Sequence, residues 1–224
     1  MFYLKDQSII LTKKNIKEKS AIIYILTKNF GLKKAIAEGI NRPESKLITV
    51  IQPGSIGKIF LAGNDLNSPF KLISFLPYKI PINVFKKLPY MYLWSLRFLV
   101  LINPFEISDE FWNLIVDLDK RVLKFKKLFP LWFMWKIFQE LGTQPNLETC
   151  SNCNKSLFKS KNIFVYKSSL FCENCRKEGY EKIEKSEYFA ILNFCYKEKI
   201  FKKNIKWPEI LRKIFKNHLR EIAL

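Results

Sequence analysis

AIIYILTKNFGLKKAIAE, residues 21–38, decides how the N-terminal part of the chain folds. Residues 21–27 are apolar at successive positions, so both faces of a strand there need cover. A small closed barrel provides this better than an open, half-wet sheet. Asn29, Phe30 and Gly31 form a turn, and residues 32–38 return as a further strand. Side chains alternate across a strand, so Lys33 and Lys34 point to opposite faces and at most one of them lies on any given surface. Working outward from this hairpin, residues 8–12, 55–61 and 71–76 are short apolar runs bounded by turn chemistry and predict three more strands. GINRPESK at residues 39–46, with Pro43 as a breaker, is a loop. Five short strands in about 80 residues predict an OB-type β-barrel over residues 1–80.

From Pro81 the apolar period becomes helical, which gives residues 81–149 as the first part of an all-α helical domain. Residues 91–101 are apolar on nearly every side and predict a buried helix. Asp109 opens another after Ser108, a good N-cap, with Phe111, Leu114, Ile115 and Leu118 as its apolar positions. Pro130 suits a first helical turn, and LWFMWKIFQEL at residues 131–141 runs to Gly142, a natural stop. Trp132, Trp135 and Phe138 have the helical spacing of core residues rather than of a ligand-stacking platform. Residues 187–196 and 208–219 predict two closing helices within 180–224. The chain has no internal repeat and no low-complexity tract.

The sharpest chemistry is CSNC at residues 150–153, eighteen intervening residues, and CENC at residues 172–175. Each C-x-x-C knuckle lets two thiolates reach one ion while backbone amides point at the sulfurs, and two knuckles complete a tetrahedron. Cys150, Cys153, Cys172 and Cys175 thus predict one structural Zn2+ in a module spanning residues 150–179. The alternatives are unmetallated thiols or a redox pair. With four cysteine ligands the site is closed, without the open position that a catalytic zinc needs. Cys195, in ILNFCY, reads as a buried small hydrophobe, and His218, the sole histidine, as a surface residue.

The charge is 39 basic against 20 acidic side chains, a net +19, and 33 of the basic residues are lysine. The abundance of Lys, Ile, Asn and Phe suggests an AT-rich genome, so part of the excess is explicable as drift over a solvated surface. It is nevertheless concentrated: residues 1–80 carry 13 basic and 5 acidic groups. At 48% hydrophobic residues the chain fills a core, which excludes disorder as its dominant state. The longest apolar runs fall well short of the roughly 20 residues a membrane span needs, and Lys5 and Asp6 interrupt any secretory signal, so a cytoplasmic protein is expected. There is no glycine-rich phosphate loop with a lysine, no carboxylate pair beside a histidine and no G-x-S-x-G elbow, so an ATPase, nuclease or hydrolase is not expected.

The order of a basic barrel, a helical domain and an inserted four-cysteine module resembles the bacterial recombination mediator family RecO. The resemblance covers most of the chain. It rests on ILTKNFG at residues 25–31, AEG at 37–39, Ser45-Lys46-Leu47 and Gln52-Pro53, then on KIFQELGTQPNLETCSNC at 136–153 and LFCENC at 170–175. Two departures stand out: the loop after Gly39 carries only Arg42 and Lys46 with Glu44 between them, and the last helix ends in LREIAL instead of a basic tail. The resemblance implies a protein without catalytic turnover, nucleoid-associated in a bacterial cytoplasm. Such a protein binds single- and double-stranded DNA and anneals complementary strands. It engages RecR and the acidic tail of single-stranded-DNA-binding protein and helps load RecA onto gapped DNA, with RecF in the same pathway.

Motif position and loop placement select Lys28, Lys33, Lys34, Arg42, Lys46 and Lys58 as candidate phosphate contacts, the alternative for each being an uninvolved solvated charge. KRVLKFKK at residues 120–127 has five basic residues of eight. Lys120, Arg121, Lys124, Lys126 and Lys127 are a candidate rim for an acidic partner tail, with Val122 or Leu123 facing inward; the alternative is an amphipathic helix with a wet lysine face. A different class of function, an RNA-binding or ribosome-associated module, fits the same composition. A zinc-dependent deaminase is disfavoured because no H-x-E ligand-and-base pair is present.

Overall fold

The computed structural model describes residues 1–64, 69–104, 107–200 and 206–222; Ala223 and Leu224, the end of LREIAL, lie outside the described residues. The chain divides into two compact units, Met1–Lys126 and Lys127–Leu224.

The first unit is built on five strands: β1 (Phe2–Lys17), β2 (Ser20–Thr27), β3 (Gly31–Ala37), β4 (Ile56–Gly63) and β5 (Phe70–Lys79), with a one-turn helix α1 (Leu47–Val50) between β3 and β4. They close into a barrel in the order β1-β2-β3-β5-β4. β1 serves two neighbours. Its first half pairs antiparallel with β4 from Phe2↔Gly63 to Ile9↔Ile56, and its second half pairs with β2 from Ser8↔Thr27 to Lys17↔Ser20. The register shifts between Ile10 and Thr12, where Ile9, Ile10 and Leu11 are all buried: the bulge suspends the in-out alternation so that one strand can bend round the barrel. Closure comes from a short parallel pairing of β3 with β5 at Ala35↔Phe70. Ala21, Ala35 and Ala37 share the interior with Ile23, Phe70 and Phe75, small beside large as a tapering interior requires.

Four helices complete this unit: α2 (Ile82–Lys87), α3 (Pro89–Ile102), α4 (Asp109–Val116) and α5 (Leu118–Phe125). The change of period at Pro81 therefore marks a change of secondary structure and not the edge of a compact unit, because α3 lies on β1 and Lys79 at the end of β5 donates to the Val116 carbonyl (2.5 Å) and the Asp119 carboxylate (2.7 Å). α3 is not buried all round, as its composition predicts. It buries Tyr92, Ser95, Leu96 and Leu99 along one face, while Tyr90 and Leu101 are 88% and 79% exposed. Apolar composition without a helical moment gave no direction, and the barrel supplies only one surface to pack on. The Ser108 hydroxyl caps α4 by accepting from the Phe111 amide at 3.0 Å, as expected.

In the second unit, α6 (Phe129–Glu140), α7 (Lys185–Lys197) and α8 (Trp207–Ile222) surround an aromatic core. Trp132, Trp135 and Phe138 are fully buried in it, with Trp135 stacked on Phe215 at 6.0 Å. Gly142, at φ +64°, ends the α6 region while the Thr143 amide bonds back to the Phe138 carbonyl. A reciprocal capping box of Glu184 and Glu187 starts α7. Between α6 and α7 lies a three-stranded sheet of order β7-β6-β8, from β6 (Ile163–Tyr166), β7 (Ser169–Cys172) and β8 (Glu181–Ile183). Cys195 is buried, as expected. His218 is not a free surface residue: it is half-buried, with its Nε2 against the Thr143 carbonyl and its ring edge-on to Phe138 at 5.0 Å. The lysine-rich composition of α8 concealed this because the helix is amphipathic and His218 falls at the border of its apolar face.

Gly57 sits at the irregularity where β4 meets β5, and a Cβ there would lie 2.3 Å from the Leu76 carbonyl oxygen. Replacing it with alanine forces two backbones apart, so Gly57→Ala is expected to lower stability by about 1–3 kcal/mol in urea denaturation.

Candidate metal centre and candidate nucleic-acid surface

The first cysteine knuckle is a tight turn. The Cys150 amide bonds to the Lys155 carbonyl and the Asn154 amide to the Cys150 carbonyl, each at 2.9 Å, with Asn154 in the left-handed region at φ +57°. A bridge between Thr149 and Ser156 closes its base, and the Ser151 amide bonds to Leu170, which ties the turn to β7. Cys172 ends β7, opposite Ile163 of β6, and a 3-10 turn over Glu173–Cys175 swings the fourth thiol back. The sulfurs of Cys150, Cys153, Cys172 and Cys175 all lie within 4.8 Å of one another, and those of Cys153 and Cys172 are 3.7 Å apart. With metal–sulfur bonds of about 2.3 Å, a regular tetrahedron has an edge of about 3.8 Å, so these donors fit a thiophilic cation.

The surroundings of the sulfurs favour thiolates at one end of the set. Burial opposes ionisation of Cys150, but the amides of Cys172, Asn152 and Cys153 offset it and hold this thiol down at about 6. Burial pushes Cys172 up to about 11, helped by hydrogen bonds with the neighbouring cysteines. Four thiols sharing too few positive charges compete for protons, which a cation would displace. The Asn152 side-chain amide donates to the Cys175 sulfur at 3.4 Å, a second-layer contact that sequence reading passed over; its signal is an amide inside the knuckle itself. The small sheet carrying Cys172 is also held from outside the knuckles: Ser168, between β6 and β7, donates to the Glu221 carboxylate, and Lys213 pairs with Glu181 of β8.

The six candidate phosphate contacts do not form one patch. Lys28, in the turn between β2 and β3, pairs with Asp109 at 2.7 Å, so its charge is already met. Lys33 and Lys34 do point to opposite faces: Lys33 is half-buried on the side of Ala35 and Ala37, while Lys34 is exposed beside its cross-strand neighbour Tyr24. Arg42 and Lys46 are exposed in the loop after β3. Arg42 lines a shallow cleft with Lys19 and Asn41, but also with Glu18 and Glu44, which dilute its field. Lys58 is exposed on β4, which in the barrel order lies across from the β2–β3 pair. Lys34, Arg42 and Lys46 thus remain as the exposed set following β2, and Lys58 belongs to the other flank.

The run KRVLKFKK forms the C-terminal part of α5 and the first residues of the 3-10 turn Lys126–Leu128. Leu118, Val122 and Phe125 are its buried stripe, Lys120 pairs with Asp117 at 2.8 Å, and Lys124 sits over the Phe125 ring at 4.8 Å. Val122, fully buried, belongs to the core of the first unit, and Leu123 is half-buried. Lys124, Lys126 and Lys127 are exposed and Arg121 is half-buried, an amphipathic arrangement.

Residues 1–70 match the family model described as Recombination protein O N terminal, and residues 121–223 match Recombination protein O C terminal. The chain belongs to the RecO family. It is similar to the DNA repair protein RecO of Clostridium novyi, 25% identical over 203 residues that cover 88% of this chain and 78% of the relative. It is likewise similar to that of Acetivibrio thermocellus, 24% over 216 residues (89% and 82%), and of Clostridium acetobutylicum, 26% over 216 residues (92% and 85%). The N-terminal RecO match takes in β1 to β4, and the C-terminal match takes in all four clustered cysteines. Among the described residues of this RecO chain, no helix is long and apolar enough to cross a membrane.

A metal held by these four sulfurs requires them deprotonated. Protons compete with the cation for every sulfur, so acidification is expected to release an ion retained at neutral pH, as read by elemental analysis after dialysis.

Proposed function

We propose that this RecO chain acts in DNA repair and homologous recombination as a non-catalytic mediator. It binds single- and double-stranded DNA through an OB-type barrel and anneals complementary strands. Together with RecR it helps load RecA onto DNA coated with single-stranded-DNA-binding protein, whose acidic tail is a further partner. RecF belongs to the same pathway, and the setting is the bacterial nucleoid. The observation that carries this reading is the joint match, in one chain, of both halves of the recombination protein O family, with the N-terminal match falling on a closed barrel that bears exposed basic residues. A barrel with positive charge tracks phosphate without reading bases, which suits a protein that must accept any sequence.

On this reading the barrel within residues 1–80 is the nucleic-acid-binding part of the first unit, and the helices that follow it are shared out between the two units. Residues 150–179 are a module in which Cys150, Cys153, Cys172 and Cys175 hold one structural Zn2+. The ion would neutralise the thiolates and cross-link two knuckles; with four sulfur ligands it leaves no position for a reactive water. The donor set supports this, because four clustered cysteine sulfurs suit zinc better than the hard cations.

Three measurements test the proposal. Annealing of complementary oligonucleotides coated with their cognate single-stranded-DNA-binding protein should be accelerated; no acceleration, or tighter binding of RNA than of matched single-stranded DNA, moves the chain to an RNA-binding role. Neutralising Lys34, Arg42 and Lys46 together should flatten the salt dependence of DNA affinity by up to about 2–3 units of log–log slope. Cys172→Ser should lower zinc content and melting temperature together, whereas a metal-free wild-type protein of equal stability would remove the zinc assignment.

A further inference from the structure

The flank of the barrel across from the β2–β3 hairpin carries an outward pattern that barrel packing does not use. Along the first half of β1, Leu4, Asp6 and Ser8 turn inward, while Tyr3, Lys5 and Gln7 are exposed. Facing them on β4, Phe60 stands opposite Lys5, and exposed Lys58 stands opposite Gln7. The rings of Tyr3 and Phe60 lie parallel, with centroids 5.6 Å apart and 3° between their planes, and Tyr3 is 61% exposed. β1, β4 and β5 contain one carboxylate between them, Asp6. It is buried and accepts hydrogen bonds from the amides of Gln7 and Asn29 and from the Asn29 side chain, each at 2.8 Å. Two lysines and a stacked aromatic pair therefore share one sheet face whose strands put no negative charge on it.

We propose that the outer face of β1 and β4 is a base-stacking surface for single-stranded DNA. Tyr3 and Phe60 receive unpaired bases, and Lys5 and Lys58 meet the flanking phosphates. A flat aromatic face takes any base, because every base has a π-face, and the lysines supply the sequence-independent attraction. Duplex DNA hides its base faces in its own stack, so this surface selects the unpaired form. A second copy of this chain docked symmetrically on the same face would bring Lys5 and Lys58 of both copies together without a countercharge, which favours a polyanion as the occupant. The inference rests on the DNA-binding reading above and deepens it: stacking and the basic loop occupy opposite flanks of one barrel.

Fluorescence anisotropy of the full chain with a labelled oligothymidylate and with a matched duplex tests this. Tyr3→Ala is expected to weaken single-strand binding about tenfold and leave duplex binding unchanged, and Tyr3→Trp to restore it. Phe60→Leu, which keeps the packing volume, should give a smaller loss in the same direction, and a 5-iodouracil oligonucleotide should cross-link to Tyr3. If Tyr3→Ala and Phe60→Leu bind the single strand like wild type while the Lys34, Arg42 and Lys46 variant loses it, DNA binding stands and this surface is wrong. If the wild type binds no DNA, both readings fall. If Tyr3→Ala instead turns a sedimenting dimer into a monomer at unchanged DNA affinity, the face is a contact between copies and the proposal is overturned.

Discussion

The bend in β1 is the constraint on which the first unit depends. One strand of sixteen residues pairs with β4 along its first half and with β2 along its second, and no flat strand can reach both edges of a closed barrel. The bulge after Ile10 makes the turn. At that point the Ile10 amide bonds to the Ser55 carbonyl at 2.9 Å, and the Gly54 amide returns to the Ile10 carbonyl at 2.6 Å, so the backbone groups released by the bulge are met by the residues just before β4. Gly54 takes up the conformational cost, at φ +84°, and has no room for a Cβ because the Tyr92 hydroxyl and ring lie 2.4 Å and 2.5 Å from where it would stand. The docking of α3 and the closure of the barrel therefore meet at one glycine.

That geometry explains what the sequence discloses and what it withholds. β2 and β3 are legible to within a residue or so, because the apolar run of β2 is continuous and the turn that returns the chain as β3 has a glycine at φ +65°. Of β1, only residues 8–12 are legible: TKKNIK has no alternation to betray a strand, and its pairing is supplied by β2 rather than by its own pattern. Tyr3 and Lys5 were lost from view for the same reason, since they lie outside the apolar run. The clustering of the cysteines is legible because a C-x-x-C turn brings its own two thiols together locally, and only the pairing of knuckles needed the fold. The sites of the six candidate cations were not, because whether a lysine is free depends on carboxylates far away in sequence, as with Lys28 and Asp109.

The charge itself is less uniform than a net +19 suggests. Acidic groups are spent on particular lysines: Asp109 on Lys28, Glu38 on Lys71, Asp119 on Lys79, Asp117 on Lys120 and Glu198 on Lys136. Solvent screening leaves such pairs at the surface with little effect on stability, but each one removes a cation from the field that a polyanion would feel. What remains is positive where the strands carry no carboxylate at all. Composition drift toward lysine would scatter charge over the whole surface; it would not keep β4 and β5 free of acid while placing Asp6 inside.

The second unit solves a different problem. Strands of four, four and three residues form a sheet too small to stand on its own hydrophobic face, and the two knuckles beside it expose Cys153 while burying Cys150 and Cys172. Burial, together with hydrogen bonds from the neighbouring cysteines, pushes Cys172 up to about 11, so its thiolate is unfavourable there without a cation. A disulfide would join two of the four and leave two, with no reason for all four to converge. The four sulfurs converge as a donor set that a single centre satisfies at once, so on the proposed reading ligation would hold this small sheet, with Ser168 and Lys213 tying it to its surroundings.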